Sequence, residues 1–409
     1  LDYAAYMLEK PQDTLDVRGF GSPQQFFPVS SMMNEIAQSL RLDPSDVFLK
    51  NLADPFEAAC NDGESFGNFR LKDCVVRGRE LIDWYEAKKQ MEASRKEKGR
   101  YLIGVGMACG SHGTSMFPFM PDITGITIKM NEDGTIVFTT GTSDMGNGSV
   151  TTQCMLISEV LGIPLDHIAY IKTDTDAAMS DLGAYASRGT YTSGHAAVKT
   201  AQIMRDKIAV LAAELLDTTT DNLDFHDDAV WCVDIHRKFV SMKEIAVHAR
   251  EKHQEDLSCS YMFHSEAGPM SSGAHFAKVQ VDTVTGGIKV LEYAAVHDVG
   301  RVVNPMGITG QLEGGISMGL GYALCEEMKL DSTGRNQTSS FKKYHILNVK
   351  EMPKLSVDFL DSEEETGPYG AKSIGECAVV PVAPAIANAV SNAVGRQFYK
   401  LPIRPADVL

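Results

Sequence analysis

Two β-hairpins constrain the fold of this chain more than any other sequence feature. The first runs from ITGITIKM through the turn at residues 131–134 to TIVFTTGT. The second turns at residues 285–287 inside AHFAKVQVDTVTGGIKVLEYAAV. In both, apolar residues alternate with period two around a glycine-bearing turn, which is typical of antiparallel strands. Helical patterns are mixed among the strands without a regular βαβ period. We therefore predict an α+β fold of mixed sheets and helices, not a doubly wound parallel sheet.

The first hundred residues read as helices. Asp43-Pro44 opens one helix, with Asp as the N-cap and Pro in the first turn. Residues 79–98 read as one long charged helix, and a domain boundary is placed after it, giving residues 1–98 and 99–409. Before it, apolar residues recur at helical spacing and predict another helix, with Ser30 or Ser31 as its N-cap. Its two methionines are expected in the core. The apolar residues are Val29, Met32, Met33, Ile36 and Leu40.

Composition and charge exclude several classes of protein. The net charge of −16 disfavours contact with the negatively charged phosphate backbone of a nucleic acid, so nucleic-acid binding is not expected. No membrane span is expected, because no segment reads as apolar over about 18 residues. The N-terminus LDYAAYMLEK does not resemble a signal peptide. Eight cysteines without a CxxC pair and eleven histidines without HExxH spacing predict no protein-ligated metal. Reduced thiols favour a cytoplasmic location.

Two glycine-rich loops, SDMGNGS and ASRGTYTSG, each stand between a strand and a helix. Unpaired N–H groups and the positive end of the helix dipole at such a place can bind an anion. Neither loop matches G-x-x-x-x-G-K-[ST] or G-x-G-x-x-G, so a P-loop or Rossmann nucleotide site is not supported. The alternative is that both loops are ordinary helix caps and tight turns.

Glu376 lies in the stretch GAKSIGECAVVPVAPAIANAV. One interpretation is a capping box formed with Ser373. Pro381 and Pro384 would interrupt such a helix, so we expect the helix to span residues 385–395 and Glu376 to lie in the loop before it. In that loop, apolar surroundings would raise the pKa of Glu376 towards the range of a general base.

Three further candidates have competing interpretations. His297 and Asp298 form either a base dyad or a strand-end hydrogen bond. Cys377 is either reactive or a small buried neighbour of Glu376. His112 lies either in a pocket or in a turn.

Six motifs occur in one order along the chain: RGFGSPQ (18–24), TGTSDMGNG (140–148), YASRGT (185–190), DVGRVVNP (298–305), GQLEG (310–314) and GAKSIGE (370–376). Together they resemble the molybdenum-cofactor-binding subunit of the xanthine dehydrogenase/aldehyde oxidase family of molybdenum hydroxylases. The resemblance covers nearly the whole chain. The sequence has no counterpart of the family's GG-x-FGG-type loop, so the chain is expected to be the C-terminal half of such a subunit.

The resemblance implies roles for particular residues. Glu376 is similar to the family's active-site base. Arg18 and Phe20 fall where the family has an arginine near the metal and an aromatic beside the substrate. Asn147 stands where glutamine is common, which shortens the reach of that amide. The residues implied to bind the cofactor are Arg18, Gly19, Met145, Gly146, Asn147, Ala186, Ser187, Gly189, Thr190 and Gln311.

The resemblance also implies a reaction and partners. The expected reaction is oxidative hydroxylation of an N-heterocycle, purine- or nicotinate-like, or of an aldehyde, with water as the oxygen source. The expected cofactor is a molybdenum pyranopterin, as molybdopterin or its cytosine dinucleotide form. Expected partners are a chain carrying the N-terminal half, a [2Fe-2S] subunit, an FAD subunit and a small-molecule substrate. The alternative is a carrier that binds molybdopterin without catalysis.

Overall fold

Eleven strands form three sheets in the part of the chain that the computed structural model describes, residues 17–57, 65–171, 174–235 and 237–409. Their orders are β1-β9-β10-β11, β4-β3-β2-β8 and β5-β6-β7. The strands are β1 (Tyr101–Gly113), β2 (Ile123–Met130), β3 (Ile136–Thr140), β4 (Ile168–Ile171), β5 (Leu223–His226), β6 (Ala229–Cys232), β7 (Phe239–Ser241), β8 (Ser258–His264), β9 (Met270–Asp282), β10 (Ile288–Asp298) and β11 (Lys354–Leu360).

Helices cover these sheets and connect their strands. The helices are α1 (Ser22–Leu40), α2 (Pro44–Asn51), α3 (Leu71–Leu81), α4 (Trp84–Glu97), α5 (Ser149–Leu161), α6 (Arg188–Leu216), α7 (Met242–His253), α8 (Pro305–Leu324), α9 (Val382–Val394) and α10 (Pro405–Val408). Helices and mixed sheets without a βαβ repeat confirm the predicted α+β class.

The largest sheet is built on the second predicted hairpin. β9 and β10 pair antiparallel, β1 adds to β9, and β11 adds in parallel to β10. Successive side chains face opposite sides of the sheet. Phe276 and Ala294 therefore pack against α3 and α4, while Ala277 and Ala295 pack against α8 and α9. Two cores thus lie on the two faces of one sheet.

A close helix approach fixes α9 on this sheet. A Cβ at Gly104 would lie 2.0 Å from the carbonyl oxygen of Ala389, and one at Gly106 would lie 2.2 Å from its nitrogen. No side chain fits at those distances, so only glycine lets α9 pack directly on β1. α9 ends at Gly395 in the left-handed conformation, as predicted, but it begins at Val382 rather than at residue 385.

The second sheet contains the first predicted hairpin. β2 and β3 pair antiparallel, β8 flanks β2, and β4 runs parallel to β3. Ile128 and Phe138 of this sheet share a core with Ile157 of α5 and Met204 of α6. The third sheet is small, and its β7 leads directly into α7.

Helix α1 differs from the prediction in its start and its orientation. It begins at Ser22, so Ser30 and Ser31 are buried interior residues and not caps. Its apolar stripe faces outward: Val29, Met32, Ile36 and Leu40 are all exposed. Met33 packs against the core beneath α3 and α4, but the expectation that Met32 is a core residue is wrong.

The polar face of α1 is buried because it pairs with α9 and β1. The Asn392 side chain donates to the Asn34 side chain and to the carbonyl of Val105, at 3.2 and 2.8 Å. Asn388 donates to the carbonyls of Ser30 and Met107, at 3.2 and 2.9 Å. Paired amides avoid the cost of unpaired buried polar groups, so the polar face can pack inward.

The predicted helix at residues 79–98 is two helices. Ile82 and Asp83 separate α3 from α4, and Asp83 has a left-handed φ of 50°. Trp84 of α4 packs edge-on against Phe276 of β9. The helices before residue 98 thus share a core with strands after it, and the predicted domain boundary there stays a prediction.

One described segment, Cys377–Val394, has the length and mean hydropathy of a membrane span, which the sequence analysis did not expect. Within the protein, 94% of it is buried. It includes α9, whose packing on β1 and α8 accounts for its apolar composition, and core helices commonly share this property.

Candidate functional site

All six motifs contribute residues to two adjoining cavities. The larger cavity has a volume of about 700 Å³ and the smaller one of about 80 Å³. They adjoin because both are lined by residues of the same loops, namely Asn147, Ser149, Ser187, Gly189, Gln311 and Gly375.

The structure brings nearly all the predicted site residues to these cavities. Thr190 lines the smaller cavity. Gly19 does not line either one but donates its N–H to Glu376, and Ala186 is buried beside Ser187. The predicted residues that line the larger cavity are Arg18, Phe20, Met145, Gly146, Asn147, Ser187, Gly189, Gln311 and Glu376.

Glu376 lies in a loop at the larger cavity, with its side chain 14% exposed. Oε1 accepts the N–H of Gly19 at 3.1 Å. Oε2 accepts the Ser187 hydroxyl at 3.3 Å and lies 3.1 Å from Nε2 of His112. The Glu376 N–H donates to Ser187 Oγ at 2.9 Å. Residues from three other segments therefore fix this carboxylate at the cavity.

The pKa of Glu376 is lowered, which contradicts the predicted rise. Burial raises it, but hydrogen bonding and charge attraction from His112, with the donors Gly19 and Ser187, outweigh burial. Polar donors, not apolar side chains, surround the carboxylate. Such a group is ionised at neutral pH and can accept a proton.

Ser373 and Glu376 do not form a capping box. The Ser373 hydroxyl accepts the N–H groups of Thr190 and Tyr191, at 3.2 and 3.0 Å. It therefore caps α6, a helix far away in sequence. After Glu376 comes only a short 3₁₀ turn, Cys377–Val379. This arrangement frees Glu376 from a capping role.

Arg18 ties the segment before α1 to the rest of the site. Its Nε donates to the Gly375 carbonyl at 2.6 Å, and its Nη2 donates to the Gln311 carbonyl and side-chain oxygen, both at 3.0 Å. Gln311 lies on α8. These bonds hold three segments together next to Glu376 and orient the Gln311 amide.

Three helices begin at the cavities. α5 starts at Ser149, α6 at Arg188 and α8 at Pro305, with Asn304 as the α8 cap. Each has at least 13 residues, so each start carries the partial positive charge of a helix dipole. Arg301 adds a full charge to the lining of the smaller cavity. The smaller cavity is thus suited to a phosphate group.

Ser149 gives a local test of whether a polar ligand fits. Its side-chain oxygen is buried and has no hydrogen-bond partner among the described residues. It lines both cavities. A buried hydroxyl without a partner is costly, so a ligand with polar groups at this point would satisfy it.

The loop before α6 is strained. Ala186 and Ser187 have left-handed φ values of 51° and 49°, which residues with a side chain rarely adopt. Phe20 is also left-handed, at 44°. Strained backbone is retained where surrounding contacts enforce it, and functional sites are a common place. In this conformation the Ser187 hydroxyl lies 3.3 Å from Oε2 of Glu376.

The loop at residues 145–148 is more open. The Met145 side chain is 69% exposed, and Gly146 has a φ of 92°. The Asn147 side chain accepts the Ser149 N–H at 3.2 Å. Its amide is therefore used locally to begin α5, which a longer glutamine would do less well.

Buried ion pairs stabilise the segments that line the cavities. Arg188 is 1% exposed and pairs with Asp122 and Asp181 at 2.7 and 2.9 Å. Lys372, also fully buried, pairs with Asp298. The sequence alone indicates no role for Arg188, although it directly follows Ser187. A buried, fully paired arginine cannot be recognised from sequence without its partners.

His112 and Ser22 were also not assigned to the site. His112 Nδ1 lies 2.9 Å from the Ser22 hydroxyl, while Nε2 faces Glu376. The structure places His112 in neither of the two expected positions: it is a buried residue near the end of β1 and lines neither cavity. The sequence feature that could have indicated this role is a histidine at the end of a strand.

The remaining candidates have structural roles. His297 and Asp298 point to opposite faces of the sheet, so they do not form a dyad: His297 Nε2 lies 2.7 Å from Nε2 of His275, and Asp298 pairs with Lys372. Cys377 is fully buried, and burial raises the pKa of its thiol to about 12. Such a thiol is unreactive.

One cluster in the described ranges has a geometry that could hold a metal ion: the ligand atoms of Glu214, His248 and His253 lie within 4.8 Å of one another. It lies at the far end of α6 from the cavities. Glu214 Oε2 already contacts both imidazoles, at 3.4 and 2.8 Å, so ion pairing accounts for the cluster.

Comparisons with known proteins agree with this geometry. A family model described as a molybdopterin cofactor-binding domain matches residues 77–353. The xanthine dehydrogenase molybdenum-binding subunit of Escherichia coli O157:H7 is 31% identical over 95% of this chain and 52% of its own length. The carbon monoxide dehydrogenase large chain of Afipia carboxidovorans is 27% identical, over 91% of this chain and 48% of its own length.

A solved structure of the Cu,Mo-CO dehydrogenase superposes with a TM-score of 0.87 at 24% identity, over 95% of this chain and 52% of that chain. That likeness concerns the fold. The chain spans about half the length of the curated relatives it matches. The family match covers more than half of this chain and includes residues 145–148, 186–190 and 304–311, which contribute to the cavities. The chain belongs to the molybdopterin cofactor-binding domain family of the molybdenum hydroxylases related to xanthine dehydrogenase.

Proposed function

We propose that this chain is part of a molybdopterin-dependent oxidoreductase that hydroxylates an N-heterocycle or an aldehyde with water as the oxygen source. Relatives are named for xanthine dehydrogenase, hypoxanthine oxidase and nicotine 6-hydroxylase, which supports a heteroaromatic substrate class. The observation that carries the proposal is Glu376, a mostly buried carboxylate with a lowered pKa at the larger cavity.

The cavities support binding of a molybdenum pyranopterin. The smaller cavity, with three helix starts and Arg301, would take its phosphate end, in either the molybdopterin or the cytosine dinucleotide form. Bound there, the cofactor would supply the two-electron oxidation and the activated oxygen. The residues proposed to hold it, besides Ser149, are Arg18, Gly19, Met145, Gly146, Asn147, Ala186, Ser187, Gly189, Thr190 and Gln311.

The chain's own contribution to the chemistry would be proton transfer at Glu376. Its carboxylate accepts a proton at the reacting centre, and its fixed orientation provides the positioning that general-base catalysis requires. Phe20, which is 49% exposed at the larger cavity, would contact a planar substrate with its ring. Arg18 would act by holding Gln311 and Gly375 beside that substrate.

The proposal extends to partners. Because the matched relatives are about twice as long, a further polypeptide or segment carrying the N-terminal half would complete the site. Electrons would leave through a [2Fe-2S] subunit and an FAD subunit. The seven cysteines in the described ranges are free, which supports the cytoplasm as the compartment.

The Glu376→Gln variant of the assembled enzyme tests the proposal. Turnover should fall at least about 100-fold while the molybdenum and pterin content stays unchanged, because a positioned base contributes about 10²–10⁴ in rate. Glu313→Gln, an exposed glutamate on α8 near Gln311, is the matched control and should keep full turnover. Near-normal turnover of Glu376→Gln would reject the assignment.

The second candidate function is a carrier that binds the cofactor without catalysis. Nothing in a carrier requires an oriented, ionised Glu376, so that residue argues for the enzyme. Molybdenum analysis combined with dye-linked oxidation of heterocycles and aldehydes separates the two. Bound molybdenum without any oxidation would favour the carrier.

A further inference from the structure

The contacts of Glu376 include one pair that the proposed function does not use. His112 lies between the carboxylate and Ser22, with Nε2 3.1 Å from Glu376 Oε2 and Nδ1 2.9 Å from Ser22 Oγ. Its side chain is 9% exposed. These three groups come from three separate segments: the end of β1, the start of α1 and the loop after Lys372.

We propose that His112 is the positioning residue of the base, fixing Oε2 of Glu376 and with it the orientation of the carboxylate at the cavity. The inference rests on the proposed function of Glu376. His112 itself does not contact a reacting atom in this assignment. It acts through the carboxylate, and Ser22 acts through His112.

Hydrogen-bond chemistry determines which ring nitrogen carries the proton. An ionised carboxylate only accepts hydrogen bonds, so Nε2 of His112 must carry a hydrogen towards Glu376. In the neutral ring, Nδ1 then accepts from the Ser22 hydroxyl. In the charged ring, Nδ1 donates to the same oxygen. Because a hydroxyl can rotate to do either, Ser22 supports both states without breaking the contact to Glu376.

The other groups around Glu376 cannot replace His112. Gly19 binds Oε1, not Oε2. Ser187 reaches Oε2 at 3.3 Å but is neutral and is also bound by the Glu376 N–H. Both bonds reach an ionised acceptor, but the His112 contact is the shorter one and lowers the pKa of Glu376 more than the Ser187 contact does, so His112 is the main determinant at Oε2.

Among the described residues, few charged groups face this carboxylate. Arg18 is the other cation, and its guanidinium is bound to the Gly375 carbonyl and to Gln311. Arg188 lines the same cavity but is neutralised by two buried aspartates. The neighbouring Cys377 stays a thiol, since burial raises its pKa to about 12. Removal of His112 therefore changes the environment of Glu376 more than any other single change in this set.

The test compares His112→Phe and His112→Gln in the assembled, cofactor-loaded enzyme. In His112→Phe, the acid limb of kcat/KM should move up by about one to two pH units, because a hydrogen bond to a charged group is lost. At neutral pH, kcat should fall about tenfold, since the carboxylate is less well oriented, while KM changes little.

His112→Gln serves as the conservative variant. A glutamine amide can still donate to Oε2 but carries no charge. It should restore most of kcat and leave a smaller shift of the acid limb. His264→Gln, an exposed histidine on β8, is the control and should change neither quantity. An unchanged acid limb in His112→Phe would overturn the proposal, even if activity were lost.

A second measurement needs no cofactor. In urea unfolding of the apo chain at pH 7, Glu376→Gln should shift the midpoint in the wild-type background and shift it less in the His112→Phe background. Equal shifts would overturn the pairing of the two residues. If Glu376→Gln kept full turnover while this coupling was present, the proposed function would fail and the contact would remain established.

Discussion

The two ends of helix α6 carry the same chemistry in opposite environments. At its start, the loop residue Ser187 binds Glu376, which faces His112. At its end, Glu214 contacts His248 and His253. The ends lie about 40 Å apart along a helix of 29 residues. In both places, histidine lowers the pKa of a carboxylate.

The difference between the ends is burial. The Glu376 side chain is 14% exposed and that of Glu214 is 44% exposed. Water and salt screen the outer cluster, whereas the inner one lies beside buried ion pairs and a cavity. A carboxylate–histidine contact thus indicates a functional site only where the surrounding structure is built to hold it.

Breaking the buried network at the start of α6 should have the largest effect on stability. Arg188→Met leaves Asp122 and Asp181 as buried carboxylates without their cation. We expect a loss of about 3–5 kcal/mol in the free energy of unfolding, measured by urea at pH 7. Lys207→Met removes an exposed cation from the same helix and is the control. A loss below about 1 kcal/mol for Arg188→Met would contradict the contrast between the ends.

The elements of the fold could largely be predicted from sequence because they are local. Both hairpins follow from period-two alternation around glycine turns, and α2 follows from Asp43 and Pro44. The order of the loop motifs indicated the family. These features depend on neighbours in sequence, and neighbours are visible to inspection.

Three of the wrong expectations concern residues whose partners are distant in sequence. The polar face of α1 packs inward because Asn388 and Asn392, some 350 residues later, supply its hydrogen bonds. Ser373 looked like a cap for its own segment but caps α6 instead. The pKa of Glu376 falls because His112 and Gly19 converge on it from elsewhere. No periodicity in the sequence encodes such convergence.

The cap supplied by Ser373 offers a second, smaller test of the start of α6. Ser373→Ala leaves the N–H groups of Thr190 and Tyr191 without their acceptor, which should cost about 1–2 kcal/mol of unfolding free energy. Ser241→Ala removes the local cap of α7 and is the matched control, with a cost of about 1 kcal/mol. Only Ser373→Ala should also reduce pterin retention. If both variants retained the pterin equally, the Ser373 cap would have no part in pterin binding at the cavity.

The pH dependence of stability should distinguish Glu376 from an ordinary surface glutamate. Its folded pKa is lowered, so its ionised form contributes stability above the ordinary glutamate value of about 4.3. That contribution is lost as the pH falls through the folded value. The difference in unfolding free energy between wild type and Glu376→Gln should therefore decrease on acidification from pH 7. An increase would mean that burial dominates, as the sequence analysis expected.

The smallest effect is expected at the end of α6. Glu214→Gln removes the negative charge that faces His248 and His253. The loss of stability should again decrease on acidification, as for Glu376, because the pKa of Glu214 is also lowered. Exposed ion pairs contribute little, so the change should be about a fifth or less of that in Arg188→Met. At 1 M salt the Debye length is about 3 Å, and the effect should disappear, whereas that of Glu376→Gln should persist. Glu251→Gln, on the exposed side of α7, is the control. If salt removed both effects equally, burial would not be what separates the two ends.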